Sequence, residues 1–276
     1  MNSLQYNLTK ITSHFISKVR HNRQDAFWWI DKKNFGDLLT PELFATFGKT
    51  AIHCYPDYHF KAGLTAVGSL IQMLPSNYQG GILGTGLIKQ QAIQLPDAHF
   101  YSVRGELTKQ AMGLSATTAT GDLGLIADRL LTKTQHKKYS LGLIPHYVDK
   151  HHPVIQKLKQ KYPQQILVIN VEQSAKKVVE QIACCQCIAS SSLHGIIVAD
   201  SLGLPSVWLK LSEQVVGEGF KFYDYNSSIN AEQQPITPND FQSLLDLEKL
   251  AVIKDPKLIA QKKIAITALV KQALAK

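Results

Sequence analysis

Short apolar segments alternate with amphipathic, helix-like segments along most of the chain, and this alternation constrains the fold more than any other feature of the sequence. Such alternation is typical of α/β folds, in which parallel strands are joined by helices. It occurs in two series, separated by the polar stretch TKTQHKKY at residues 132–139. The sequence therefore predicts two Rossmann-like domains with parallel sheets, residues 1–133 and 140–276 with a C-terminal helix, and a cleft between them.

Two local patterns refine this prediction. The segment TPELFATFG predicts a short helix with Thr40 as N-cap, Pro41 in its first turn and Gly48 at its end. The preceding NFGD, residues 34–37, is then a loop. Near the end of the second series, GFKFYDY mixes a lysine and an aspartate with aromatic rings. That mixture suits a segment that binds a sugar or a phosphate, and equally an ordinary hairpin.

The composition narrows the class of protein. Of the 276 residues, 45% are hydrophobic and 18% are charged, a balance typical of globular domains. No apolar run approaches the roughly 20 residues that span a bilayer, and the N-terminal segment has no apolar signal-peptide core. We therefore expect a cytoplasmic protein. The cysteines of ACCQC have no second cluster that would complete a zinc site, so no metal is expected.

The formal net charge of +9 calls for an anionic partner. Nucleic acid is not expected, because basic stretches interleaved with aromatic residues are missing. Two partners fit the positive field: a small polyanionic substrate, and the anionic inner face of a membrane. The C-terminal lysines fit a solvated helix face better than a binding groove.

The motif SSSLHG lies where an apolar strand pattern passes directly into a helical pattern. The first N–H groups of such a helix lack intrahelical partners, and the helix dipole favours an anion beside them. Ser191 and Ser192 are candidates for binding a phosphate or carboxylate, and His194 for donating to that anion or transferring a proton. The alternative is structural, with the serines capping the helix and the histidine packing inside.

Other candidates also follow apolar runs. Arg104 leaves a strand end, where its guanidinium suits a carboxylate or phosphate, and Lys221 is a second candidate cation. Asp37 fits a general base, an acceptor for sugar hydroxyls or a helix cap. The remaining candidates are residues of the first and second series that we expect to face the cleft, namely Asn34, Gly36 and His146, the last of which could instead brace the domain junction.

Eight motifs occur in an order that resembles the polysaccharide pyruvyl transferase family. They are NFGDLLTPEL, AVGSLIQ, GGILGTGLI, YSVRGELT, GDLGLIAD, LGLIPHYVD, IASSSLHGIIVADSLGLPSVWL and FKFYDY, which together extend over roughly residues 27–225. The resemblance implies a GT-B-like fold. It also implies transfer of pyruvate from phosphoenolpyruvate to a sugar, which leaves a cyclic ketal on two hydroxyls.

The resemblance also carries site residues. His194 matches the histidine that the family associates with phosphoenolpyruvate, and Asp37 lies in the matching Asn-x-Gly-Asp loop of the acceptor side or of proton transfer. Many members have an arginine where this chain has Ser192, so the donor contacts fall to Arg104, Lys221 and helix N–H groups. We expect His194 as acid or phosphate contact and Asp37 as base.

Ketal formation needs an acid, a base and an anion clamp, so we expect no cofactor and no metal. The expected partners are phosphoenolpyruvate and a saccharide acceptor, which could be lipid-linked and bring the protein to the inner face of the membrane. Two alternatives stay open: a GT-B-type glycosyltransferase that uses a nucleotide sugar, and a non-catalytic sugar-binding relative.

Overall fold

A computed structural model describes residues 22–56 and 63–275, and its two parallel sheets confirm the predicted α/β class. The N-terminal segment that was examined for a signal peptide lies almost wholly outside the described residues. In the described ranges, no helix has both the length and the apolar character needed to cross a membrane.

The first sheet has six strands in the order β2-β1-β3-β4-β5-β6, all parallel. Its strands are β1 (Arg23–Phe27), β2 (Thr50–His53), β3 (Leu64–Thr65), β4 (Gly81–Leu83), β5 (His99–Val103) and β6 (Ala119–Thr120). The connections contain α1 (Phe35–Ala45), α2 (Glu106–Ala111) and a short 3₁₀ turn, Ile71–Met73. An irregular helical segment, Leu123–Leu130, follows β6.

The second sheet has four parallel strands in the order β10-β9-β7-β8. Its strands are β7 (Tyr139–Ile144), β8 (Ile166–Val168), β9 (Cys185–Ser190) and β10 (Ser206–Trp208). The helices are α3 (Pro153–Lys161), α4 (Ala175–Ala183), α5 (Leu193–Ser201), α6 (Phe220–Ser228), α7 (Leu244–Leu250) and α8 (Pro256–Leu274).

The two sheets share one packed interior. The largest buried cluster contains apolar residues of α1, α4, α5 and the Leu123–Leu130 segment, so it lies between the two sheets. Two smaller clusters cover the outer faces, one beside each sheet. Helix α8 follows the second series in sequence but packs against β4, β5 and the Leu123–Leu130 segment. This packing holds the C-terminal helix against the first sheet.

The helix start predicted at Thr40 is wrong. Helix α1 begins at Phe35, with Asn34 as N-cap, and Thr40 and Pro41 lie inside it. A long-range contact explains the difference, because the N–H of Phe35 donates to the carbonyl oxygen of Val171 at 2.8 Å. NFGD is therefore the N-terminal turn of a helix rather than a free loop.

The hairpin alternative for GFKFYDY is also wrong, because Phe220–Ser228 forms helix α6. The chain enters this helix through Gly217, Glu218 and Gly219, which all have left-handed backbone angles. Tight packing favours glycine at this entry, since a Cβ on Gly217 would come within 2.0 Å of the carbonyl oxygen of Ile88.

Candidate functional site

A cavity of about 240 Å³ lies at the topological switch points of both sheets, where the order of the strands reverses. In the first sheet, β1 is followed by β2 toward one edge of the sheet, and β3 is followed by β4 toward the other edge. In the second sheet, β7 is followed by β8 toward one edge, and β9 is followed by β10 toward the other. Such switch points, at the carboxyl ends of parallel strands, are where open α/β sheets bind ligands. Both switch points contribute residues to this one cavity.

The structure brings most of the predicted site residues to this cavity. From the first sheet come Asn34 and Asp37, which follow β1; from the second come His146, after β7, and Ser192 and His194, after β9. Helix α6 adds Lys221. Gly36, Ser191 and Arg104 do not line it, for different reasons in each case.

His194 lies in the first turn of α5 and is 7% exposed. Its ring packs directly on Gly36 of α1, where an added Cβ would come within 2.0 Å of Nδ1. The ring of Phe35 meets the imidazole edge-on, with centroids 6.4 Å apart. Burial, with the nearby charges of Arg104 and Lys221, lowers the pKa of His194 to about 3. The imidazole is thus neutral near pH 7, and Gly36 acts by leaving room for it.

Asp37 is the acidic residue of this cavity. Its carboxylate accepts a hydrogen bond from the side-chain amide of Asn34 at 2.9 Å. Burial raises the pKa of Asp37 to about 7, although the amide of Asn34 and the charge of Lys221 oppose the shift. A carboxyl group with this pKa is protonated in a large fraction of molecules at neutral pH and exchanges its proton readily.

Lys221 and His146 are two further ionisable residues of the cavity wall. Burial and the charge of Arg104 lower the pKa of Lys221 to about 8, so the ammonium form still dominates at neutral pH. Burial and the charge of Lys221 lower the pKa of His146 to about 3. The wall therefore holds the cations Lys221 and Lys32 beside two neutral imidazoles, a surface suited to negative charge.

The three serines of SSSLHG lie at the predicted strand-to-helix junction, but they differ in role. Ser190 ends β9, and its hydroxyl donates to the carbonyl of Ile144. Ser191 is turned from the cavity: it donates to Asp149 at 2.7 Å and accepts the N–H of His146. Ser192 is the N-cap of α5 and lines the cavity, and its hydroxyl makes no capping bond. Of the three, only Ser192 is placed to contact a ligand in this cavity.

The expectation that Arg104 grips a ligand directly needs correction. Its side chain is fully buried, with Nε 2.9 Å from Asp224. The other two nitrogens donate to the hydroxyl of Ser69 and the carbonyl of Leu87. Asp224 also accepts from the N–H and hydroxyl of Thr108. The guanidinium therefore joins β5 to α6 from beneath the cavity, and reaches it only through its charge and through Ser69, which lines the wall.

Sequence reasoning assigned no role to Asp122, although it lies within the motif GDLGLIAD. This aspartate follows β6 and is fully buried, and its Oδ2 is 3.8 Å from Nε2 of His194. A signal existed, because an aspartate directly after a strand end is a typical position for a site residue. No group of three or more histidine, cysteine, aspartate or glutamate side chains could hold a metal ion in the described parts of the chain.

Comparison with known proteins identifies the family of the chain. The chain is 32% identical over 212 residues to a protein of Acanthamoeba polyphaga mimivirus, "Uncharacterized protein L143", and the match covers 71% of this chain and 72% of the viral one. A family model described as "Polysaccharide pyruvyl transferase" matches residues 15–213. That range contains all ten strands of the two sheets, and the chain belongs to the polysaccharide pyruvyl transferase family.

Proposed function

We propose that the protein transfers pyruvate from phosphoenolpyruvate to a sugar of a surface polysaccharide or exopolysaccharide. The product is a cyclic ketal on two hydroxyls, and phosphate is released. We further propose a GT-B-like arrangement in which residues 140–276 bind the donor and residues 1–133 bind the acceptor. Family membership supports a transferase, and the cavity between the two switch points supports a reaction that joins two substrates.

The positive cavity wall is the observation that carries this proposal. Phosphoenolpyruvate has about three negative charges near neutral pH. Lys221 offers an ammonium group, and the N-terminus of α5 offers N–H groups without intrahelical partners, beside the free hydroxyl of Ser192. We assign the phosphate to these groups. Lys221 thereby supplies the cation that many family members would carry at the position of Ser192.

The pKa values favour an exchange of the two expected catalytic roles. A pKa of about 7 lets Asp37 carry a proton at neutral pH, so it is suited to protonate the methylene carbon of phosphoenolpyruvate. His194 is neutral in the empty cavity, so it is suited to accept the proton of the attacking hydroxyl. The charge of a bound trianion would raise the pKa of the imidazole toward the range that this role needs.

The proton count closes with these two groups. Asp37 protonates the methylene carbon, which becomes a methyl group, and the first sugar hydroxyl adds to the neighbouring carbon. The bond from that carbon to the phosphate oxygen then breaks, and the second hydroxyl takes its place. One hydroxyl proton replaces the proton that Asp37 gave, and the other leaves on phosphate. No electron transfer occurs, so the proposed reaction requires no redox cofactor, and Asp37, His194 and Lys221 are assigned the acid, base and anion-binding roles.

The acceptor side is proposed on fewer contacts. Trp29 and Lys32 follow β1 and line the cavity, where a ring and a cation suit a sugar or an anionic acceptor. A lipid-linked acceptor would give the basic surface a role at the inner face of a membrane. Co-sedimentation with vesicles tests this step, because binding that ignores the anionic lipid content would contradict it.

The proposal is tested by phosphate release from phosphoenolpyruvate in the presence of a panel of saccharide acceptors. His194→Ala is expected to lower the rate about 10³-fold. His136→Ala is the matched control, because His136 is exposed in the polar segment between the sheets. Near-normal turnover of His194→Ala would contradict the assigned role.

Ligand binding separates this function from the nucleotide-sugar alternative. A ligand at a hundred times its Kd stabilises the folded state by about 2.7 kcal/mol, which a thermal shift detects. We expect stabilisation by phosphoenolpyruvate. Stabilisation by a UDP- or GDP-sugar, with none by phosphoenolpyruvate, would favour a glycosyltransferase. Sugar binding without any turnover would favour a non-catalytic relative.

A further inference from the structure

Two buried polar atoms face one another beneath the cavity, and neither has a hydrogen-bond partner among the residues that the structure describes. They are Nε2 of His194 and Oδ2 of Asp122, 3.8 Å apart. Buried polar atoms are rarely left unpaired, so each unpaired one calls for an explanation. The separation exceeds hydrogen-bonding distance, but catalytic hydrogen bonds are often long in empty enzymes and tighten when the substrate binds.

Asp122 is held in this position from two sides. Its Oδ1 accepts the N–H of Gly124 at 2.8 Å, which fixes the carboxylate at the start of the Leu123–Leu130 segment. Gly124 in turn lies tightly against α5, since an added Cβ would be 2.8 Å from Ile197. The segment that carries the carboxylate is therefore packed on the helix that carries the imidazole. One oxygen of Asp122 is used in this anchoring, and the other is directed at His194.

We propose that Asp122 is a positioning residue for His194: its Oδ2 accepts the Nε2 proton, so Nδ1 keeps its lone pair and can act as a base. This role rests on the proposed function, because the proton that Nδ1 would accept is that of the acceptor hydroxyl. An adjacent carboxylate selects the tautomer of a catalytic histidine and stabilises the imidazolium formed when that histidine takes a proton.

The charges around the pair are compatible with this state. Arg104 and Lys221 face His194, while Arg104 and Asp224 act on Asp122. Burial raises the pKa of Asp122 to about 6, so the carboxylate is mostly ionised at neutral pH. The imidazole is neutral there. An ionised carboxylate can only accept, so a neutral imidazole that pairs with it must carry its proton on Nε2.

Asp122→Asn isolates the tautomer because it is isosteric. Its amide oxygen can still accept the N–H of Gly124, but its NH₂ group replaces the oxygen that faces His194. A donor at that place favours the tautomer with the proton on Nδ1. We expect kcat to fall roughly 10²- to 10⁴-fold, with little change in KM for phosphoenolpyruvate. In a His194→Ala background the same substitution is expected to add almost nothing, since Asp122 acts through the imidazole.

Asp128→Asn is the matched control. Asp128 belongs to the same segment, but its carboxylate pairs with Lys263 at 2.7 Å and is partly exposed. Thermal unfolding of both variants checks that the segment keeps its structure. Wild-type kcat in a folded Asp122→Asn variant would overturn the proposal.

The tautomer itself is measured by ¹⁵N NMR of the histidine side chains, with the His194 signal assigned by its loss in His194→Ala. We expect the Nε2–H form in the wild-type protein and in Asp128→Asn, and a shift toward the Nδ1–H form in Asp122→Asn. An Nδ1–H form in the wild-type protein would overturn the proposal even without an activity measurement. If phosphoenolpyruvate is not turned over but the tautomer depends on Asp122, the proposed function fails and the pairing stands.

Discussion

Two groups of buried ionisable side chains lie close together at the carboxyl ends of the strands, and they differ in how many of their polar atoms are hydrogen-bonded. In the first, three nitrogens of Arg104 donate to protein oxygens, and Asp224 accepts from Arg104 and from Thr108. In the second, Nε2 of His194 and Oδ2 of Asp122 have no hydrogen-bond partner within the described residues.

The difference separates a structural ion pair from a site prepared for a ligand. Groups whose bonds are all made within the protein gain nothing from a ligand. Groups with unpaired atoms and shifted pKa values are held in a less favourable state, which a bound anion and a transferred proton can relieve. An arginine at a strand end is therefore not functional by position alone, and the pairing of its nitrogens decides its role.

The largest expected effect comes from breaking the paired group. Arg104→Met leaves the carboxylate of Asp224 buried without its cation, so we expect a loss of about 3–5 kcal/mol in the free energy of unfolding. Adding Asp224→Asn removes the stranded charge, keeps an acceptor for Thr108 and should recover at least half of the loss. Denaturant unfolding measures both variants. If Arg104→Met alone were as stable as the wild type, the pair of Arg104 and Asp224 would not be a structural ion pair.

A smaller effect is expected from crowding the unpaired group. Gly36→Ala places a Cβ within 2.0 Å of Nδ1 of His194, so the imidazole must move. Because a buried ring must be displaced, we expect a loss of about 1–3 kcal/mol in the free energy of unfolding. The displaced catalytic group should lower turnover about 10²-fold. Gly113→Ala is the control for turnover only: an added Cβ there meets no atom within 4 Å, but the backbone φ of 62° makes any side chain strained. Unchanged turnover in Gly36→Ala would mean that the ring position does not matter.

The smallest expected effect is a gain in the free energy of unfolding on substitution of Asp37, opposite in sign to the loss expected for Arg104→Met. Burial raises the pKa of Asp37 to about 7, well above the usual aspartate value of about 4, so its ionisation destabilises the fold as the pH rises between these two values. Asp37→Asn does not ionise, and we expect it to gain about 1–2 kcal/mol over the wild type between pH 4 and pH 8. Thermal unfolding across this range measures the gain, with the exposed Asp97→Asn as control. A constant difference would show that Asp37 is not held in an unfavourable state.

The sequence pattern predicted the sheets well because their signal is local. A short, nearly continuous apolar run such as that of Tyr139–Ile144 is typical of a buried parallel strand, and it can be seen in the sequence without knowledge of distant contacts. The start of α1 was misplaced because its determinants are distant. Val171 accepts the N–H of Phe35, and Thr40 accepts the N–H of Val67 instead of capping a helix.

The location of the site could be predicted from the sequence, but the hydrogen-bond partners of its residues could not. Strand ends and helix starts pointed to His194 and Asp37, both of which line the cavity. The partner of Arg104 lies 120 residues away, so its burial could not be inferred from neighbouring residues. The same holds for the approach of Asp122 to the imidazole, which depends on how the Leu123–Leu130 segment packs on α5.

A crystal structure with bound phosphoenolpyruvate is the decisive experiment for the proposed donor site. We expect the phosphate beside the ammonium group of Lys221 and the first N–H groups of α5, with the methylene carbon within reach of Asp37. We also expect Arg104 to stay bonded to Asp224 in that complex. Phosphoenolpyruvate bound outside this cavity, or held directly by a released Arg104, would contradict the proposal.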